Sequence, residues 1–180
     1  MKKRRIGLLI VSAMALFLTS RYALAQSSPP GGWAESRSTD PVTGAVTIAV
    51  QATASAGVSS TGTPFSLIIR CKGGEPDVFI VWGDAVTTTN DSNGNDDLAS
   101  VAYRLDNGPP QSNMWITSTD YTATFFNGDI AGFISKLSKS QKFAVEVDDF
   151  EGNQDTAVFD LGGISKALLP VDQACGINQS

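Results

Sequence analysis

Histidine is absent from all 180 residues of the chain, and that absence removes more chemistry than any other single feature. Ser-His-Asp and Cys-His nucleophiles, histidine-ligated zinc and imidazole acid–base catalysis are all excluded. A serine that uses lysine as its base needs a Ser-x-x-Lys spacing, and none occurs. Gly31-Gly32, Gly73-Gly74 and Gly162-Gly163 lack the Gly-x-x-x-x-Gly-Lys frame of a phosphate loop, so they read as turns. Cysteine is scarce as well. Only Cys71 and Cys175 are present, without the close Cys-x-x-Cys spacing of a redox pair, and the reading is one structural bridge.

Long apolar runs are missing after the first 25 residues; the longest is Val78 to Trp82. What precedes them is distinctive. Lys2, Lys3, Arg4 and Arg5 lead into an apolar stretch from Ile6 to Leu18, then Ala23-Leu24-Ala25. The pattern reads as a cleavable secretory signal, residues 1–25, with the cut after Ala25. Gly7 departs from the bulky positions of a twin-arginine motif, and no cysteine follows the cut to carry a lipid. The expected location is the periplasm or the exterior, where a disulfide persists. A flexible segment 26–32 and a single domain over 33–180 would follow, with no membrane span in the mature chain.

Removing the signal also removes five of 13 basic residues and none of 18 acidic ones. Eight cations against 18 acids leave a net charge of −10. Such a surface repels phosphate backbones and anionic lipid heads, which argues against a nucleic-acid partner.

Period-two alternation dominates the rest. Val46/Ile48/Val50/Ala52, Phe65/Leu67/Ile69, Val101/Tyr103/Leu105, Phe143/Val145/Val147 and Ala157/Phe159/Leu161 each mark one face of a strand. Asp77 to Trp82 is apolar on both faces, as in a strand covered on both sides. Asp106-Asn107-Gly108-Pro109-Pro110 is a turn between two strands. Ile130, Phe133, Ile134 and Leu137 instead follow helical spacing, with Asn127 as the expected N-cap and Lys136 and Lys139 near the end. A shorter helix is expected from Gly163 to Leu169, stopping at Pro170. The expected fold is mainly β: an antiparallel β-sandwich-like domain with one or two packed α-helices and one disulfide, Cys71–Cys175, tying the C-terminal tail to a core strand.

No catalytic residues emerge. Paired carboxylates are the remaining enzymatic option: Glu146 and Asp148 share a strand face, with Asp149 and Glu151 beyond. Adjacent carboxylates on an acidic protein are usually just its solvated face, and these residues read so. A metal is not assigned, and no cofactor is required. Asp91, Asn93, Asn95, Asp96 and Asp97 offer the oxygen ligands calcium wants, but glycine is fourth rather than sixth and Ala102 stands at the twelfth position. A calcium-dependent adhesive or ligand-binding module is therefore one alternative, a carboxylate hydrolase another, and a fimbrial subunit a third. The most unusual stretch carries Arg104 and Asp106 on one strand face, then Trp115 and Asp120 beyond the turn. Exposed, that face would carry only an ordinary Arg104–Asp106 ion pair, which is the simpler reading. Were Trp115 to cover it across the hairpin, the four would form an aromatic and charged contact site.

The order Trp33, Leu67-Ile68-Ile69-Arg70-Cys71, Trp82, Tyr103-Arg104-Leu105-Asp106, Trp115, Ser118-Thr119-Asp120, Phe133, Leu137, Phe159-Asp160-Leu161, Ala174-Cys175 resembles the VasI/TagO-like family. The resemblance spans roughly Trp33 to Gly176. It implies a non-enzymatic periplasmic accessory protein associated with type VI secretion. Such a protein acts through contacts with an envelope or secretion-system partner. The chain departs from the family in its Ser/Thr/Gly-rich Ala54–Thr63 segment and its polar Asn90–Asp97 loop.

Overall fold

The computed structural model describes residues 32–90 and 97–177. The expected signal (1–25), most of the segment after it, and residues 91–96 of the polar loop lie outside that range. The first five strands are β1 (Trp33–Thr39), β2 (Val46–Val58), β3 (Pro64–Lys72), β4 (Glu75–Val81) and β5 (Thr89–Asn90). Then follow β6 (Asp97–Leu105), β7 (Gln111–Thr117), β8 (Ala123–Phe125) and helix α1 (Ile130–Ser138). The chain ends with β9 (Lys142–Asp148), β10 (Gln154–Asp160) and the short helices α2 (Ile164–Ala167) and α3 (Leu169–Cys175).

Pairing runs β2–β10–β9–β6–β7–β8–β4–β3 and returns to β2, all antiparallel. The domain is therefore an eight-stranded barrel, and the expected two-sheet sandwich is corrected. The cause lies in β2. Its first half, to Ala52, pairs β1 on one edge and β3 on the other. The register against β3 then shifts between Thr53 and Val58, and Ala56 pairs Val158 of β10. Gly57 sits in that bend at φ +98°, and a Cβ there would stand 2.1 Å from the Thr156 carbonyl oxygen. Only glycine permits both the backbone angle and the approach.

An eight-stranded barrel has an interior just wide enough for side chains to fill. The alternating residues fill it as their spacing predicts: Val101 and Tyr103 of β6, Phe143, Val145 and Val147 of β9, and Ala157 and Phe159 of β10 are buried. Helix α1 adds Phe133, Ile134 and Leu137. Phe133 stacks on Phe126 at 4.1 Å and meets Tyr103, Trp115 and Phe143 edge-on. The cap of α1 is Asp129 rather than Asn127; its carboxylate accepts the Gly132 N–H at 2.9 Å. Such a cap stabilises a helix by about 1 kcal/mol.

Pro170 does not end a helix. It lies in the first turn of α3, where its missing N–H breaks no bond. Gly176 closes α3 at φ +64°, as a left-handed residue does after many helices. Cys175 at the end of α3 bridges to Cys71 of β3, with Cα atoms 5.7 Å apart and a sequence separation of 104. That confirms the expected staple, and a disulfide in a fold of this kind fits an extracytoplasmic compartment. Among the described residues, no helix is long and apolar enough to cross a membrane.

Candidate functional site

The four residues expected to share a contact site do not assemble. Trp115 pairs with Ala99 across β6–β7 and faces the barrel interior, fully buried, packed on Tyr103 and Phe126. It covers nothing on the outside, so the condition for an aromatic lid over Arg104 and Asp106 is not met. The reason is parity: residues 99, 101 and 103 face inward, and so does the tryptophan opposite 99. Arg104 is exposed on the outer face, beside a shallow trough floored by Ala102 and Ala144 and edged by Glu146 and Thr156. Asp106 has a structural task. At φ +49°, its carboxylate accepts the N–H groups of Gln141 and Lys142 at 2.8 and 2.9 Å, tying the β6–β7 turn to the start of β9. Asp120 caps its own turn, accepting from the Ser118 hydroxyl at 2.6 Å and from the Thr122 N–H. Those hydrogen bonds, the hydroxyl first, hold its pKa below the ordinary carboxylate value.

The carboxylates of β9 also serve local roles. Glu146 is half-buried on the outer face, 3.3 Å from the Thr156 hydroxyl. Asp149 accepts from the Asn153 side chain and from the N–H groups of Glu151 and Asn153, which lowers its pKa. Asp155 behaves oppositely. Burial, reinforced by the nearby charges of Asp84 and Asp149, pushes its pKa up, and one buried carboxylate oxygen has no hydrogen-bond partner. Of the calcium candidates, Asp91, Asn93, Asn95 and Asp96 lie outside the described residues. Asp97 starts β6, where its carboxylate accepts from the Tyr121 hydroxyl at 3.0 Å.

A different surface emerges from the strand registers. Ile68 lies opposite Phe79, Phe79 opposite Phe125, Phe125 opposite Ile116, and Ile116 opposite Leu98. Parity puts all five on the outside: their neighbours Leu67, Ile69, Val78, Ile80, Thr124, Trp115 and Ala99 are the buried inner set. A row of large apolar side chains thus crosses β3, β4, β8, β7 and β6 on the solvent side. Four of the five are half-buried, while Phe79 is covered by its neighbours.

Arg70 finishes the row. Its guanidinium lies over the Phe79 ring at 4.8 Å and within 5.9 Å of Phe125. Both Nε and a terminal nitrogen donate to one carboxylate oxygen of Asp77, which fixes the cation over the rings. Phe79 and Phe125 stack at 4.6 Å. Paired aromatics with a pinned arginine match the residue types that dominate protein-binding energy. The sequence signalled this in one place, the two-sided apolar run through Phe79. The cover on its outer side is Phe125 and Arg70, not a second layer of the fold.

A scan against protein-family models finds no match for this chain, and no curated protein matches it in sequence. Among solved structures, the crystal structure of invasion associated protein b from Bartonella henselae is similar, with a TM-score of 0.55 at 9% sequence identity. The match covers 80% of this chain and 92% of that chain. At that identity the two chains share a fold, and the likeness extends no further.

Proposed function

We propose that this chain is a non-enzymatic accessory protein of the cell envelope that works by protein–protein contact, with the outer apolar row as its contact surface. The observation that carries the reading is that row, from Ile68 through Phe79, Phe125 and Ile116 to Leu98, with Arg70 pinned over its rings. Four of the five side chains stay partly exposed on the outer face, beside an arginine and two stacked aromatic rings, which are residue types enriched in the cores of protein interfaces. The disulfide supports a periplasmic or secreted location. The resemblance to the VasI/TagO-like family supports placing the partner in a type VI secretion assembly.

The test compares wild-type protein with an Ile116→Asp variant, each used as bait on envelope extract, with captured proteins identified and re-bound in purified form. Ile116 is half-buried on the outer face, so the variant should keep its fold, checked by its melting curve. A secretion-system component bound by wild type and lost by the variant is the expected result. A different envelope protein lost in the same way would keep the contact surface and remove the secretion role. A partner bound equally by both would overturn the surface.

A further inference from the structure

Among the described residues, strand β1 is paired on one edge only, by β2, and its sequence complements itself across the other. The Asp40 N–H donates to the Ala45 carbonyl, so in the β1–β2 register Ser38, Ser36 and Ala34 turn their N–H and C=O groups toward β2. Trp33, Glu35, Arg37 and Thr39 turn theirs outward. Among the described residues no strand pairs with that outer edge. From Ala34 to Thr39 every residue is exposed, and the strand has no lysine, proline or bulge. Its two charges, Glu35 and Arg37, blunt an edge against other strands but are of opposite sign and so complementary to a second copy of themselves.

We propose that a second copy of this chain occupies the edge, β1 pairing antiparallel with its symmetry mate about a two-fold axis through Ser36. Only odd-numbered residues have free backbone groups, so odd must pair with odd. The register centred on Ser36 places Glu35 opposite the mate's Arg37 and Arg37 opposite the mate's Glu35, with Trp33 opposite Thr39. Centring on Glu35 or Arg37 would set like charges face to face. Glu35 and Arg37 already share one sheet face, 2.6 Å apart, with side chains 39% and 60% exposed. Pairing turns two intrastrand ion pairs into a network of four groups and satisfies the outward backbone of both strands. The interface is isologous and closes as a dimer. It is independent of the outer apolar row, and Ile116→Asp should leave it unchanged.

Sedimentation of the exported, signal-processed protein across concentration tests it. The expected result is a monomer–dimer equilibrium. Arg37→Glu should weaken the dimer by about tenfold or more by facing carboxylates across the axis, and the charge swap E35R/R37E should restore it. Ser36 faces itself at a non-hydrogen-bonded pair, where cross-strand Cα atoms approach most closely, so S36C should form an interchain disulfide under oxidising conditions. Ser38 faces the mate's Ala34, so S38C should not. Monomer at every concentration, a dimer indifferent to R37E, or equal cross-linking by S36C and S38C would each overturn the proposal.

Discussion

The two halves of β2 contrast within a single strand. From Val46 to Ala52 it is the middle of an open three-stranded patch, with β1 on one side and β3 on the other. Past the bend at Gly57 it becomes a barrel stave, paired to β10. In the open half, Val50 and Ala52 are buried on one face only, and α3, stapled to β3, lies against that half. The closed half has barrel strands, β10 and β3, on its two edges, and Phe65 and Ala157 close against its glycine. Closure therefore comes from strand pairing, whereas the open half depends on a helix, a disulfide and an edge strand.

Removing the staple should give the largest effect. In the chain-entropy picture a bridge closing a loop of 104 residues stabilises by about 4–5 kcal/mol. The double variant C71S/C175S should lose stability of that order in chemical denaturation. Protection from amide exchange should fall first in α3 and β1, with β6 and β9 following later. A uniform fall across the domain would mean that the two halves unfold as one and would erase the contrast.

Breaking the closed half comes next. Gly57→Ala places a methyl against the Thr156 carbonyl at a backbone angle that L-residues avoid. The strain alone costs about 1–3 kcal/mol, and the clash adds to it. Exchange should rise first along β2 past Thr53 and along β10, while β1 and α3 hold. A melting temperature equal to wild type would show that the bend does not need glycine.

The smallest effect has the opposite sign and belongs to the barrel. Asp155 has a folded pKa above its unfolded value because burial, Asp84 and Asp149 disfavour its charge. Its ionisation therefore costs stability as pH rises beyond the unfolded value of about 3.9. Asp155→Asn should raise the melting temperature at pH 7, and the gain should shrink as pH falls and vanish below that value. A gain independent of pH would assign the effect to something other than charge.

How much of this was legible in the sequence follows from the same contrast. Strands with one buried face, such as Phe143 to Val147, announce themselves by alternation, and α1 by its helical spacing. β1 was invisible as a strand because, after Trp33, nothing along it is buried. Closure was hidden too: it rests on pairings between β2 and β10, about 100 residues apart, and local periodicity does not encode such partners. A sandwich and a barrel have the same alternation. The four-residue site failed for a related reason, since the side of the sheet on which Trp115 falls depends on its register with Ala99. The outer row became visible only through five registers read together. Cys71 and Cys175, by contrast, had no other partner to choose.

Residue-resolved amide exchange on β1, at low and high protein concentration, tests the account most directly. In dilute protein Ala34, Ser36 and Ser38 should be protected, while Glu35 and Arg37 exchange freely. On concentration the Glu35 and Arg37 amides should gain protection and the other three should change little. If the odd-numbered amides are already protected in dilute protein, or never gain protection, the edge is not the open, self-pairing strand described here.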